Sequence, residues 1–460
     1  MLKLRIKVLL WISLFICIQI VNSSADESPQ KLWQTIHVLD LETAQWIALA
    51  ENKNFAASAT HVGQAMAQKK QARSSYWPHI QFSANAVRTK LSDSYYSSQL
   101  LSAQLLSPSA KIDDPIERYD LNVSISYVLF DGFLSKYQFL SAKMGHEISQ
   151  AQYRHLKRIL LQQVSNLFFR TQLTRENIAI AKANIHFYQQ KLKEAEARQA
   201  IGSGSLSDAL NFKVQLNAAQ SALIQANESY QLALLDMANG LGIPCFSNEL
   251  TLSKLETEKD EELSSLEIQD YLDAAYRHRP EISLYQKMIQ QAEHQIKTAK
   301  AKYYPVIKVN AIYKGDRTDN YHWSEADFGN TLTANLSYPV FSGGYYQAKI
   351  KEAAYRVTEI KKNWQYIQQS IDTQVRQAVE RVKAAQEQVR LQRENAILVQ
   401  QNRDLVEKEY AAGQNSLVRL NEAQKDLITA KSRSASALVS LHQAWKNLIA
   451  ETGQILITFE

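Results

Sequence analysis

Ile201-Gly202-Ser203-Gly204-Ser205-Leu206-Ser207-Asp208 holds the residues best suited to chemistry, since glycines and hydroxyls at this spacing can cradle a phosphate. A phosphate loop of that kind must leave a strand and open a helix within a βαβ unit. Here the glycines follow a breaker-free helical tract of nearly 70 residues. The ten histidines are scattered, without an HExxH pattern or clustered cysteine and histidine ligands, so no metal site is expected. His278 beside Arg279-Pro280 reads as part of a helix start. Serines lack the GxSxG strand-turn-helix setting of a nucleophile. Carboxylates alternate with Lys and Arg three and four residues apart, as on solvated helix faces. Neither an enzyme nor a cofactor is expected, and Gly202 reads as a helix C-cap at the tip of a helical hairpin, with Ser205 or Ser207 starting the next helix.

The elements that carry this tip must be long, because the chain has only 13 Gly and 8 Pro in 460 residues. Residues 1–25 combine Lys3, Arg5 and Lys7 with an apolar run from Val8 to Ile20 and small residues at Ser23 and Ala25, the pattern of a cleaved secretory signal. Its removal takes three basic residues and no acid, so the formal charge falls from +6 to +3, and nucleic acid is not an expected partner. Cys17 lies in that signal behind Phe15-Ile16, where a lipid-attachment cysteine needs small residues. Cys245 then remains alone and makes no internal disulfide.

One pattern occurs twice. Ser75-Tyr76-Trp77-Pro78-His79-Ile80-Gln81-Phe82 returns as Lys302-Tyr303-Tyr304-Pro305-Val306-Ile307-Lys308-Val309, offset by 227. Leu121 to Tyr127 with Phe130-Asp131-Gly132 returns as Leu332 to Tyr338 with Phe341-Ser342-Gly343, offset by 211, as Gly202 is from Gly413. The fall from 227 to 211 leaves about 16 extra residues between Phe82 and Leu121 in the first copy. A tandem duplication is the expected organisation.

In each copy a helix (about 54–77 and 280–303) meets a proline and the period switches to two. Strands are expected at about 79–88, 120–130, 306–315 and 331–341. Each is about ten residues with one apolar and one polar face, the length and pattern of a tilted membrane strand. Tyr76, Trp77, Tyr303 and Tyr304 enter these strands and Phe130, Phe341, Tyr345 and Tyr346 leave them. Aromatics gathered at one strand end suit a membrane-water interface. The connections at about 88–120 and 316–331 are polar and read as loops on the far side.

A helical tract from about 133 to 201, roughly 100 Å long at 1.5 Å per residue, follows the second strand, and another runs from about 344 to 412. Ile350, Val357, Trp364, Ile371, Ala378 and Ala385 recur every seven residues, with Ile360, Ile367, Val375, Val382 and Val389 beside them. That is a coiled-coil seam. Shorter helices return over about 205–241 and 416–452. Residues 243–278, with the acidic run Glu256 to Glu262, read as a linker plus a short helix between a first repeat at 26–242 and a second at 279–460.

This order resembles the TolC-like outer-membrane efflux protein family. The resemblance is carried by Trp77-Pro78, Tyr303-Tyr304-Pro305, Phe130-Asp131-Gly132, Phe341-Ser342-Gly343-Gly344, Arg279-Pro280-Glu281-Ile282, Tyr410-Ala411-Ala412-Gly413 and Leu420-Asn421-Glu422-Ala423-Gln424. It implies a mostly α fold with a membrane β-barrel portion: a long α-helical coiled-coil barrel plus four strands per chain in a shared 12-stranded trimeric barrel. It further implies a homotrimer in the outer membrane reaching into the periplasm. The expected partners are outer-membrane lipid, a periplasmic membrane-fusion adaptor and an inner-membrane pump of RND, ABC or MFS type. The strand pattern independently demands oligomerisation, since four strands cannot close a barrel and open edges are not tolerated in lipid, but it leaves two, three or four chains open. The resemblance places Tyr410 at a tip tyrosine, Asp208 at a carboxylate that holds a closed tip, and Glu422 at a ring of pore acids. Arg419 stands where another acid is expected and Asn415 where arginine is common, which puts a cation-selective constriction in question. The leading expectation is a passive exit duct of a tripartite efflux or type I secretion system. The rival is a soluble periplasmic coiled-coil scaffold, which the alternating strands with aromatic ends disfavour.

Overall fold

A computed structural model describes residues 38–109, 111–246, 251–253, 267–318 and 322–459. The signal segment and most of the acidic linker, Glu256 to Glu262 included, lie outside these residues.

After a two-residue strand, helices α1 (Leu41–Glu51) and α2 (Lys53–Ser74) begin the helical part of the described chain. They are divided at Asn52, whose Oδ1 accepts the Phe55 N–H at 3.0 Å and so caps α2. A two-residue parallel bridge joins β1 (Val38–Leu39) to β4 (Thr251–Leu252). Between them in sequence come β2 (His79–Thr89), α3 (Asp93–Leu106), β3 (Ile116–Phe130), α4 (Leu134–Ala200) and α5 (Leu206–Leu241). Beyond β4 lie α6 (Ile268–His278), α7 (Pro280–Ala301), β5 (Val306–Thr318), β6 (Phe328–Ser337), α8 (Tyr345–Ala411) and α9 (Leu417–Glu451). A 3-10 turn over Gln454–Phe459 ends the described chain. His278 closes α6 and Pro280 stands in the first turn of α7, where its missing N–H costs nothing.

Both long helices have 67 residues, so each extends roughly 100 Å. The seven-residue seam of α8 is buried at Val357, Ile371, Val375, Ala378, Val382 and Val389, and Trp364 stacks on Tyr285 of α7 at 5.9 Å. The apolar core is a chain of clusters strung along the helices rather than one mass. Long helices in a thin layer leave no other arrangement.

The strands form one antiparallel sheet in the order β2-β3-β5-β6. Its register puts Phe82, Val123 and Tyr313 on one face, with Ile80, Ile125, Ala311 and Leu332 beside them. The opposite face carries Gln81, Ser124, Asn122, Lys314 and Asn310. Edge strands β2 and β6 are paired on one side only, and Ile80, Phe82, Leu332 and Leu336 are 67–75% exposed in the single chain. Apolar faces and open edges of this kind need covering.

Three expectations need correction. The connection expected as a loop at 88–120 contains α3, a helix of 14 residues. Its serine-rich sequence hides the helical spacing of Tyr96, Leu100 and Ala103, the half-buried side of the helix. Strand β6 covers 328–337 rather than 331–341, because Pro339 has no N–H for the ladder and ends it near Tyr338. Phe341 therefore lies past the strand and is 90% exposed. Strands β3 and β5 also run further from the helices than expected, to Ile116 and Thr318.

Candidate gate at the hairpin tips

Each long helix ends in the same way. Gly202 has φ +76° and Gly413 φ +73°, the left-handed conformation that a side chain resists. At the first tip Ser203 N–H donates to Arg198 O at 2.9 Å; at the second Gln414 N–H donates to Glu409 O at 2.8 Å. These bonds satisfy helix-end carbonyls that would otherwise lack partners. Ser205 then caps α5 by accepting from Ser207 N–H, and Ser416 caps α9 by accepting from Arg419 N–H. The glycine pair is thus a cap between antiparallel helices, with no strand before it.

The two tips meet through Tyr410 and Asp208. Tyr410 Oη donates to Asp208 Oδ2 at 3.3 Å, and its ring packs edge-on against Phe212 at 6.1 Å. Burial, followed by the charge and hydrogen bond of Asp208, raises the Tyr410 phenol above its ordinary pKa, so it remains a donor. Asn421 Nδ2 donates to Asn211 Oδ1 at 2.9 Å alongside. Asn415 bonds within its own tip, donating to Glu409 Oε2 at 3.0 Å. Arg419 lies 3.5 Å from Glu422 Oε2, one turn away on α9, with both side chains about half exposed. The structure therefore brings Asp208 and Tyr410 together across hairpins, and pairs Arg419 with Glu422 inside one helix.

Sequence reasoning missed the layer behind this contact. Lys191 of α4 bridges Glu194 at 2.8 Å and Glu407 of α8 at 2.7 Å, with its side chain only 8% exposed. Burial opposes the ammonium, yet the two hydrogen-bonded carboxylates outweigh it and raise the Lys191 pKa. Arg403 binds Glu407 at 2.6 Å and lies over the Phe187 ring at 5.4 Å. Lys191 sits among Phe187, Tyr188 and Leu192, and a charge set in an apolar stripe was the available signal.

At the other end of the helices, Tyr76 packs on Phe139 and Tyr303 on Tyr346, which also meets Tyr345. Trp77 is 67% exposed, and Phe130 packs edge-on with Phe133. Tyr304 lies against Gly132, where an added Cβ would come 2.5 Å from both Ala301 O and Tyr304 Cβ. A second aromatic group, not anticipated, lies at the far strand ends: Tyr313 stacks on Phe328 at 5.3 Å and Trp323 tilts on the same ring at 5.4 Å. Gly315 makes room for Phe328 and Trp323, which a Cβ would meet at 2.6 and 2.9 Å. The apolar band between these aromatic groups spans about eight residues, roughly 20 Å for tilted strands.

Among the described residues no helix is long and apolar enough to cross a membrane, and no group of three or more His, Cys, Asp or Glu could hold a metal. Comparison with known proteins places the chain among channels. A protein from Pseudomonas putida named as the pyoverdine export outer membrane protein OpmQ is 23% identical over 416 residues, 90% of this chain and 86% of that protein. The alkaline protease secretion protein AprF of Pseudomonas aeruginosa is 22% identical over 336 residues, 73% of this chain and 68% of AprF. The solved structure of the outer membrane protein VceC from Vibrio cholerae matches with a TM-score of 0.71 at 15% identity, over 90% of this chain and 96% of VceC, which establishes a shared fold. The model of the outer membrane efflux protein family matches residues 47–242 and again 271–454, and the chain belongs to that family.

Proposed function

We propose that this protein is a passive exit duct: a homotrimer whose twelve strands close one barrel in the outer membrane and whose helices form a tunnel into the periplasm. The observation that carries this reading is the four-stranded sheet with one apolar face and two unpaired edges, standing on helices roughly 100 Å long. Four strands cannot close, and lipid does not tolerate the free edges of β2 and β6. Family membership favours the duct over a soluble coiled-coil scaffold. We read residues 26–242 and 279–460 as duplicated halves joined by 243–278. We assign the chain no catalytic step. A periplasmic adaptor docked on the tips and an inner-membrane pump of RND, ABC or MFS type would supply energy and most of the specificity, since a wide polar tunnel selects by size and charge. The Asp208–Tyr410 contact is the proposed latch of the closed tip.

The test is extraction of isolated envelopes followed by native mass measurement. The expected result is resistance to carbonate and high salt, release by detergent, and an assembly of three chains. A monomer or dimer released without detergent would return the scaffold to first place.

A further inference from the structure

The sheet register sorts every strand charge onto one of two faces. On the polar face, β3 and β5 carry Arg118, Asp120, Lys308, Lys314 and Asp316. Four of these gather at the end far from the helices. Asp120 pairs across the ladder with Asp316, and Lys314 bridges both, at 3.4 Å from Asp120. Arg118 is two residues further along the same face, so this quartet has two charges of each sign.

Lys308 stands apart. Its cross-strand neighbours are Val128 and Asn335, and Ser126 and Asn310 follow on the same face. The side chain is exposed and has no carboxylate partner among the described residues. Lys314 is six residues away, about 20 Å along the strand, whereas the Debye length at physiological salt is about 8 Å. The outer quartet therefore leaves the field of Lys308 uncancelled. Its position two residues into β5 puts it at the helix-side rim of the sheet.

We propose that Lys308 is a charge-selecting residue of the barrel, forming in the trimer a ring of three ammonium groups that favours anionic solutes, such as carboxylates and phosphates, as they pass from helical tunnel to barrel. The inference rests on the trimeric exit-duct reading, which supplies the ring. In a wide, wet lumen three partly screened charges give a preference of a few-fold, strengthening as salt is lowered. The outer quartet, being neutral and internally paired, adds little.

The experiment is reversal-potential measurement in planar bilayers under a KCl gradient, at about 0.05 M and 1 M mean salt. The parent, Lys308→Gln and Lys308→Glu are each compared, alone and with Asp208→Ala plus Tyr410→Phe so that a tight tip does not mask the barrel. The expected result is a stepwise move toward potassium permeability, with Lys308→Glu shifting the anion-to-cation ratio by about tenfold at low salt and far less at 1 M. An unchanged ratio in both tip backgrounds, with channels of normal conductance and trimeric mass, overturns the role of Lys308 alone. Absence of channels from the correctly extracted parent overturns the exit duct, and the ring falls with it.

Discussion

At the scale of single residues, the proposed latch is the Tyr410–Asp208 contact, one of several between the hairpins. The Tyr410–Asp208 bond is long for O–H···O at 3.3 Å, so its net worth is about 0.5–1.5 kcal/mol in each chain. In a trimer three such contacts open together, and the summed effect becomes visible. Asp208→Ala combined with Tyr410→Phe is expected to raise single-channel conductance several-fold, and unchanged conductance would remove these residues from the gate. The sequence exposed this pair only through the family resemblance, since 202 residues separate them and nothing local ties a tyrosine to an aspartate. Arg419 and Glu422 were legible as neighbours by spacing alone. Lys191 and Glu407 were not, because a salt bridge between two long helices depends on their relative register.

At the scale of elements, the most constrained junction lies where α4, α7 and α9 meet. Glu281 Oε1 takes Arg279 at 2.7 Å, Arg158 at 3.1 Å and His155 at 3.2 Å, and both arginines also reach Glu451. The side chains of Arg158 and Arg279 are 5% and 3% exposed. Burial would raise the Glu281 pKa, but hydrogen bonds from His155 and Arg279 and the two guanidinium charges hold it well below the ordinary carboxylate range. A depressed carboxylate stabilises the fold above its unfolded pKa, about 4.3, and the contribution is lost as pH falls below that toward the folded value. Glu281→Gln leaves two buried arginines short of charge and is expected to cost about 3–5 kcal/mol, while flattening the acid limb of stability. Thermal melts from pH 3 to 7 check this; a variant with parental stability and an unchanged acid limb would contradict it. Arg279-Pro280-Glu281 was readable as a helix start, yet its partners Arg158 and Gln374 lie 123 and 95 residues away, beyond any periodicity. Seams and strands were legible because alternation and seven-residue repeats are local properties. Helix α3 was not, for its exposed face includes Leu101, Leu105 and Leu106 among serines and follows no inside-outside pattern.

At the scale of the whole molecule, the sheet's open edges decide the assembly. The offsets of 227 and 211 map β5 onto β2 and β3 onto β6, so the observed β3–β5 pairing serves as a template for the unseen seam between chains. In that pairing Ser124 stands opposite Ile312. Carried over, it sets Asn335 of β6 opposite Asn85 of β2 in the next copy, both on the polar face. In the proposed trimer the helical tunnel below would close through the same three-fold repetition, each chain supplying its two 67-residue helices.

The most direct measurement is therefore disulfide cross-linking in isolated outer membranes of a chain carrying Asn85→Cys and Asn335→Cys, with the exposed native Cys245 replaced by serine. The account predicts a ladder of one, two and three chains that ends in a closed trimer, and no cross-link in either single-cysteine variant. A product confined to single chains, or a ladder continuing past three, would contradict closure of the barrel by three copies through β2 and β6.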